Sequence, residues 1–202
     1  MEYIDCPLYE LKSKKVLRHL LGIKDMRLLK QDYIETMVEP YLDCSYKPRL
    51  IEPPHAELKK VQKRLKVLLG KIVVPSNVFS GVKGRSYADN ARLHQSHQRC
   101  NLFKIDLTAF FPSIRRETVY HFFCDDLRCS SDVAEALTNL TTIDIEKTNA
   151  RDLSDIKGFL ASKGVNCTNH LISGSPTSQL MSYLVNHNMF DEMQSLADKM
   201  VL

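Results

Sequence analysis

The stretch from Asn101 to Ile114, NLFKIDLTAFFPSI, constrains this chain most. Leu102, Phe103 and Ile105 form a short apolar run that leads to Asp106, and Phe111 follows five residues later. A run of this kind reads as a buried strand. It would carry one carboxylate to its C-terminal end, turn at Pro112 and enter a helix near Ser113. A carboxylate at the end of a buried strand is well placed to hold a divalent cation. Magnesium takes hard oxygen ligands, often only one or two of them from carboxylates, with water and substrate phosphates supplying the rest. An Asp after an apolar run also serves as a turn residue or helix cap, so both readings stand at this point.

The 202 residues allow one domain or one and a half. With 44% hydrophobic and 26% charged residues, the composition is that of a soluble globular protein. No apolar run approaches the roughly 18 residues of a membrane span. The opening MEYIDCPLYE is acidic and lacks the basic and apolar regions of a signal peptide. Six cysteines (Cys6, Cys44, Cys100, Cys124, Cys129, Cys167) are scattered without a Cys-x-x-Cys pair. That argues against a zinc site or disulfide framework and makes the cytoplasm the expected compartment. The net charge of +4 is uneven: residues 1–100 carry 19 Lys and Arg against 11 Asp and Glu, and residues 101–202 carry 9 against 13. A basic front half suggests a polyanion partner; a solvated basic helix face is the alternative.

Residues 7–39 read as helical. Leu8, Leu11, Val16, Leu17, Leu20 and Leu21 give an apolar face broken at Gly22, and a second helix spans Asp25 to Val38, stopped by Pro40. Residues 41–54, YLDCSYKPRLIEPP, read as a short extended ribbon. From Glu57 to Ile72, Leu58, Val61, Leu65, Leu68, Leu69 and Ile72 recur at helical spacing. Lys59, Lys60, Lys63, Arg64 and Lys66 cover the rest of that helix, and such cations can lie along phosphates without sequence preference. Gly81 and Gly84 bracket a loop bearing Lys83 and Arg85, before a helix that Ser86 can cap. Helix-start amides with two cations can bind phosphate; an ordinary capped loop fits equally. His94 and His97 are three apart, with no third metal ligand evident.

After Pro112 a helix is expected over Arg115 to Phe123. Asp132 with Glu135 resembles a capping box for a helix through about Leu140. Residues 144–168 read as loop-rich with one short helix. Gly174, Ser175 and Pro176 make a tight turn, and a long helix follows in which Leu180, Leu184, Met189, Met193 and Leu196 face the core.

Four segments carry a resemblance. KPRLIEPPHAELKKVQKRL is similar to an Arg-x-Ile-x-x-Pro ribbon followed by a Leu-Lys-x-x-Gln helix. GRSYADNARLH is similar to a Gly-[Arg/Lys]-Ser…Asn-Ala…His segment. KIDLTAFFPSI resembles a catalytic motif of Asp followed by Phe-Phe-Pro-Ser-Ile, and SGSPTSQLMSYL resembles a Gln-Gly-Ser-Pro-Thr-Ser motif that opens a helix. In this order, over roughly residues 47–190, the chain resembles reverse transcriptases of the bacterial retron and group II intron kind.

The resemblance implies an α+β fold, the fingers and partial palm of a right-hand polymerase. Residues 1–40 would be an N-terminal helical region, 41–100 the fingers and 101–202 the partial palm. It implies an enzyme that joins a primer 3′-hydroxyl to the α-phosphorus of a deoxynucleotide on an RNA template, with two magnesium ions. Asp106 matches the first metal-binding aspartate, with the Leu107 carbonyl beside it. Phe111 matches the aromatic under the incoming sugar, where its ring disfavours a 2′-hydroxyl; Phe110 is then the core member of the pair. Arg49 matches the arginine that contacts the triphosphate, assisted by Lys47, and Gly174 the glycine that lets the backbone approach the nucleotide. Lys59, Lys63, Arg64, Lys83 and Arg85 are the expected contacts to template and primer.

The chain departs from that pattern in three respects. Ser173 stands where the family has Gln, and Ile172 and Gln179 where it has Pro. Ala109 stands where an acid is frequent. The Tyr-x-Asp-Asp motif is absent, and Asp125-Asp126 lacks the strand-turn-strand setting to replace it. The expectation is a fragment ending before that hairpin and the thumb, inactive by itself. Two alternatives remain: an RNA-binding derivative without catalysis, and template-independent, protein-primed DNA synthesis in phage defence.

Overall fold

Short helices packed around two small antiparallel sheets make up the residues that the computed structural model describes, 1–95 and 104–200. Ser13 caps the first helix, α1 (Lys14–Leu21), by accepting the Val16 N–H at 3.4 Å. Gly22 ends it at φ 62°, a left-handed conformation that favours a residue without Cβ. The residues before α1 form turns. The long helix expected over Asp25–Val38 is instead a 3-10 turn, Met26–Leu29, and a short helix, α2 (Gln31–Glu35). The Asp25 carboxylate takes the Arg27 N–H at 2.9 Å and starts the tighter turn, and Lys30 between the two pieces is extended.

The expected ribbon is present. Strand β1 (Tyr41–Asp43) pairs antiparallel with β2 (Arg49–Ile51), Leu42 opposite Leu50. Asp43 closes the turn by accepting the Ser45 N–H at 3.0 Å and its hydroxyl at 2.6 Å. Helix α3 (Ala56–Leu69) buries Leu58, Val61, Leu65 and Leu69, as the spacing predicts. It also buries Gln62, whose amide donates to the Leu140 carbonyl at 3.0 Å. Helix α4 (Tyr87–Gln95) opens on a reciprocal cap: the Ser86 hydroxyl accepts the Asp89 N–H, and the Asp89 carboxylate accepts the Ser86 N–H at 3.0 Å. None of its residues is buried. His97 lies outside the described residues, as do Leu102 and Phe103 of the expected strand.

The strand expected to deliver Asp106 is not found in the part that is described. Lys104–Leu107 is irregular and exposed. A strand is held by the ladder to its neighbour, and among the described residues no strand pairs with this segment. Helix α5 (Phe110–Ser113) begins before Pro112 rather than after it. The proline sits in the first turn, where its missing N–H breaks no helical bond. Helix α6 (Arg116–His121) runs into a π-helical turn, Phe122–Asp126, and together they bury Val119, Phe122 and Phe123. Helix α7 (Ser131–Asn139) follows, without the expected Asp132–Glu135 box. Asp132 accepts the Ser130 hydroxyl at 2.6 Å, and Glu135 accepts Arg116 at 2.6 Å.

Two strands appear that the sequence pattern does not announce. Strand β3 (Thr142–Asp144) pairs antiparallel with β4 (Asn169–Leu171), Ile143 opposite His170. Helix α8 (Leu153–Ser162) lies between them in the chain. The long helix expected after Pro176 is two helices, α9 (Ser178–Leu184) and α10 (His187–Met200). Leu180 and Leu184 are buried, but Leu196 is exposed. One contiguous core joins α1, α3, α6, α7, β3, β4 and α9. Among the described residues no helix is long and apolar enough to cross a membrane.

Candidate functional site

The ribbon and the turn before α9 are locked together by Glu52, which follows β2 and has no exposed surface. Its backbone N–H donates to the Ser173 carbonyl at 2.6 Å. Its carboxylate accepts the Ser173 N–H at 2.5 Å and faces His170 Nε2 at 2.9 Å. The Ser173 hydroxyl donates to the Leu50 carbonyl at 3.0 Å. Gly174, at φ 118°, comes so close that a Cβ there would stand 3.3 Å from the Glu52 carbonyl oxygen. Four hydrogen bonds thus join segments 118 to 123 residues apart.

Burial alone would push the His170 imidazole down. The charge of Glu52 and its hydrogen bond outweigh that and hold it above the ordinary histidine value. The Cys167 carbonyl adds to the upward pull, though Nδ1 itself has no hydrogen bond of ordinary geometry among the described residues. The net shift favours the protonated imidazole.

Helix α5 is tied to the same place. The Ile114 carbonyl accepts the Leu171 N–H at 2.9 Å, and Arg115 bridges to His170. Phe110 and Phe111 are both half-buried, their ring centroids 6.2 Å apart, and Phe110 meets Phe190 edge-on at 6.3 Å. The loop at Gly81 packs on the start of α9, where a Cβ would fall 2.9 Å from the Leu180 nitrogen. Ribbon, turn, α5 and the Gly81 loop thereby gather around β4 and α9.

The residues expected from the sequence fall as follows. Arg49 and Lys47 are exposed on and beside β2, neither in an ion pair among the described residues. The Ser173 hydroxyl is committed to Leu50, and the close approach at Gly174 is to Glu52. Asp106 and Leu107 are exposed. Lys59, Lys63 and Arg64 are exposed along α3, and Lys83 is exposed in its loop. Arg85 turns inward instead: its Nη1 donates to the Pro75 and Val78 carbonyls at 2.5 and 2.6 Å, so it holds its own loop. Asp125 pairs with His121 at 2.8 Å, and burial pushes the Asp126 carboxyl up. Among the described residues no three His, Cys, Asp or Glu side chains gather into a group that could hold a metal ion. Sequence reasoning missed Glu52 and His170. The available signal was an acid set between Ile51 and Pro53, and a histidine opening the apolar pair Leu171-Ile172.

No protein-family model matches the chain. Over 134 residues it is 32% identical to the retron Se72 reverse transcriptase of Salmonella heidelberg (strain 579083-10), a match that covers 63% of this chain. The match covers 34% of that relative, so the chain spans about a third of the relative's length. Over that span the sequence is similar to a retron-type reverse transcriptase, the kind to which its four motif segments point.

Proposed function

We propose that the protein is an RNA-directed DNA polymerase of the retron kind, and that these residues form its fingers and part of its palm. The observation that carries the reading is the docking of the Arg49 ribbon on the Ser173–Gly174 turn through Glu52. A nucleotide pocket needs a cation on one wall and a backbone surface open to close approach on the other. Arg49 offers its planar fork to the triphosphate, with Lys47 beside it. Phe111 backs the sugar, where a rigid ring leaves no room for a 2′-hydroxyl. Ser173, committed to Leu50, holds the turn rather than reading the nucleotide. Selection then rests on Phe111 and the shape of the turn.

The donor chemistry at Asp106 and Leu107 fits magnesium: a carboxylate and a carbonyl, both hard oxygens. They would supply part of the coordination, with water and the substrate phosphates for the rest. Held there, magnesium would supply activation of the attacking oxygen and charge for the leaving pyrophosphate. Lys59, Lys63 and Lys83 are the exposed cations we assign to template and primer. The 202-residue segment alone is expected not to polymerise.

The test is primer extension on an RNA template by the protein as its gene encodes it, with magnesium. The expected result is incorporation of deoxynucleotides over ribonucleotides. Phe111→Ala should relax that preference by about tenfold or more, the scale on which a pocket discriminates one small group. No extension under any priming condition would overturn the reading in favour of an RNA-binding derivative.

A further inference from the structure

A groove of about 730 Å³ lies between α1 and α3. Six basic side chains line it: Lys15, Arg18 and His19 of α1, Lys24 just beyond, and Lys60 and Arg64 of α3. Glu57 is the one carboxylate in the lining. None of the six is in an ion pair among the described residues. Exposed lysines alone would mark a solvated surface, but two features go further. The Arg64 guanidinium is fixed in advance: Nη1 donates to the Leu21 carbonyl at 2.9 Å, and a Cβ at Gly22 would fall 1.4 Å from that nitrogen. Gly22 thus gives the guanidinium its seat at the end of α1. In the same wall, Arg18 Nε is buried and has no acceptor among the described residues, an unfavourable setting for a charged donor.

We infer that this groove is an anion site that takes the phosphodiester backbone of an RNA strand without reading its bases. Guanidinium forks suit phosphate oxygens, and the lining has no Phe, Tyr or Trp on which a base could stack. The choice of RNA as the polyanion rests on the polymerase reading above. Of the six cations, Lys60 and Arg64 belong to the α3 set already read from the sequence as able to lie along phosphates. The groove would anchor a strand away from the junction that Glu52 holds.

The experiment is binding of a fluorescein-labelled single-stranded RNA, followed by anisotropy over a salt series, to the protein as its gene encodes it. Three forms are compared: wild type, the double reversal Lys15→Glu with Lys60→Glu, and a control reversal of equal charge, Lys163→Glu with Lys199→Glu. All four lysines are exposed, so the folds should survive. The groove reversal should weaken binding at least tenfold at ~0.1 M salt. It should flatten the slope of log affinity against log salt by about 1.4, about 0.7 for each lost phosphate contact. The control should change both far less. Equal effects from the two reversals, or none from the first, overturn the inference. So does an effect confined to binding of polyglutamate, which would mark the groove as a seat for an acidic protein. Primer extension in the same preparations separates the two readings. Extension with unaltered RNA affinity in the groove reversal removes the groove alone. Weakened RNA binding without extension in the wild type removes the polymerase alone.

Discussion

Glu52 is the residue on which the junction depends. It is fully buried, its two carboxylate oxygens are taken by His170 and the Ser173 N–H, and its own N–H is taken by the Ser173 carbonyl. Removing one partner of a buried pair strands the other charge, which costs about 3–5 kcal/mol. Glu52→Ala should therefore destabilise the protein by about that much in urea unfolding, and Glu52→Gln by clearly less, since an amide keeps an acceptor for the Ser173 N–H. A loss below about 1 kcal/mol for the alanine variant would show that the pair is not holding the turn. His170 adds a pH signature. Its folded value lies above the roughly 6.5 of an unfolded histidine, so the folded state binds the proton more tightly. That stabilisation is complete below about pH 6.5 and is lost as pH rises through the higher folded value. Unfolding midpoints should fall as pH rises above about 6.5, and His170→Gln should flatten the fall. Each residue left a faint local mark, but their pairing was not legible in the sequence. Glu52 and His170 are 118 positions apart, and no local pattern pairs an acid with a histidine over that distance. Arg49, Phe111 and Gly174 stood out only because their motifs are short and local.

Elements with a sustained period were legible and the rest were not. The α3 helix shows its buried face at i, i+3 and i+7, in Leu58, Val61 and Leu65. Gly22 announced the end of α1. The split of the Asp25–Val38 helix was missed because the Asp25 carboxylate captures a neighbouring amide, a local alternative to helix that periodicity does not register. Strands β3 and β4 are three residues each, too short for alternation to show, and exist through pairing across the sheet. The run before Asp106 suits a strand by composition, but a strand needs a partner: Lys104–Leu107 has none among the described strands, and Leu102 and Phe103 lie outside the described residues. Helix α4 permits a test at this scale. It buries none of its residues and leans on the Ser86–Asp89 cap. Ser86→Ala should cost about 1 kcal/mol locally. Amide exchange over residues 87–95 should accelerate while the global unfolding midpoint stays within error. A lowered global midpoint would mean that α4 is coupled to the core after all.

At the scale of the molecule, the two halves differ in charge and in work. The basic front half carries the ribbon, α3 and the groove; the acidic back half carries α5, β4, α9 and Asp106. They meet at Glu52 and Ser173, which makes the ribbon and the turn one body rather than two. The polymerase reading needs Asp106 for chemistry and not for folding. Asp106 is exposed in an irregular segment, so Asp106→Ala should leave stability within about 0.5 kcal/mol. The most direct measurement is primer extension on an RNA template, with wild type and Asp106→Ala side by side at matched unfolding midpoints. The account predicts extension by the wild type and none above background by the variant. Extension by Asp106→Ala at the wild-type rate would contradict it.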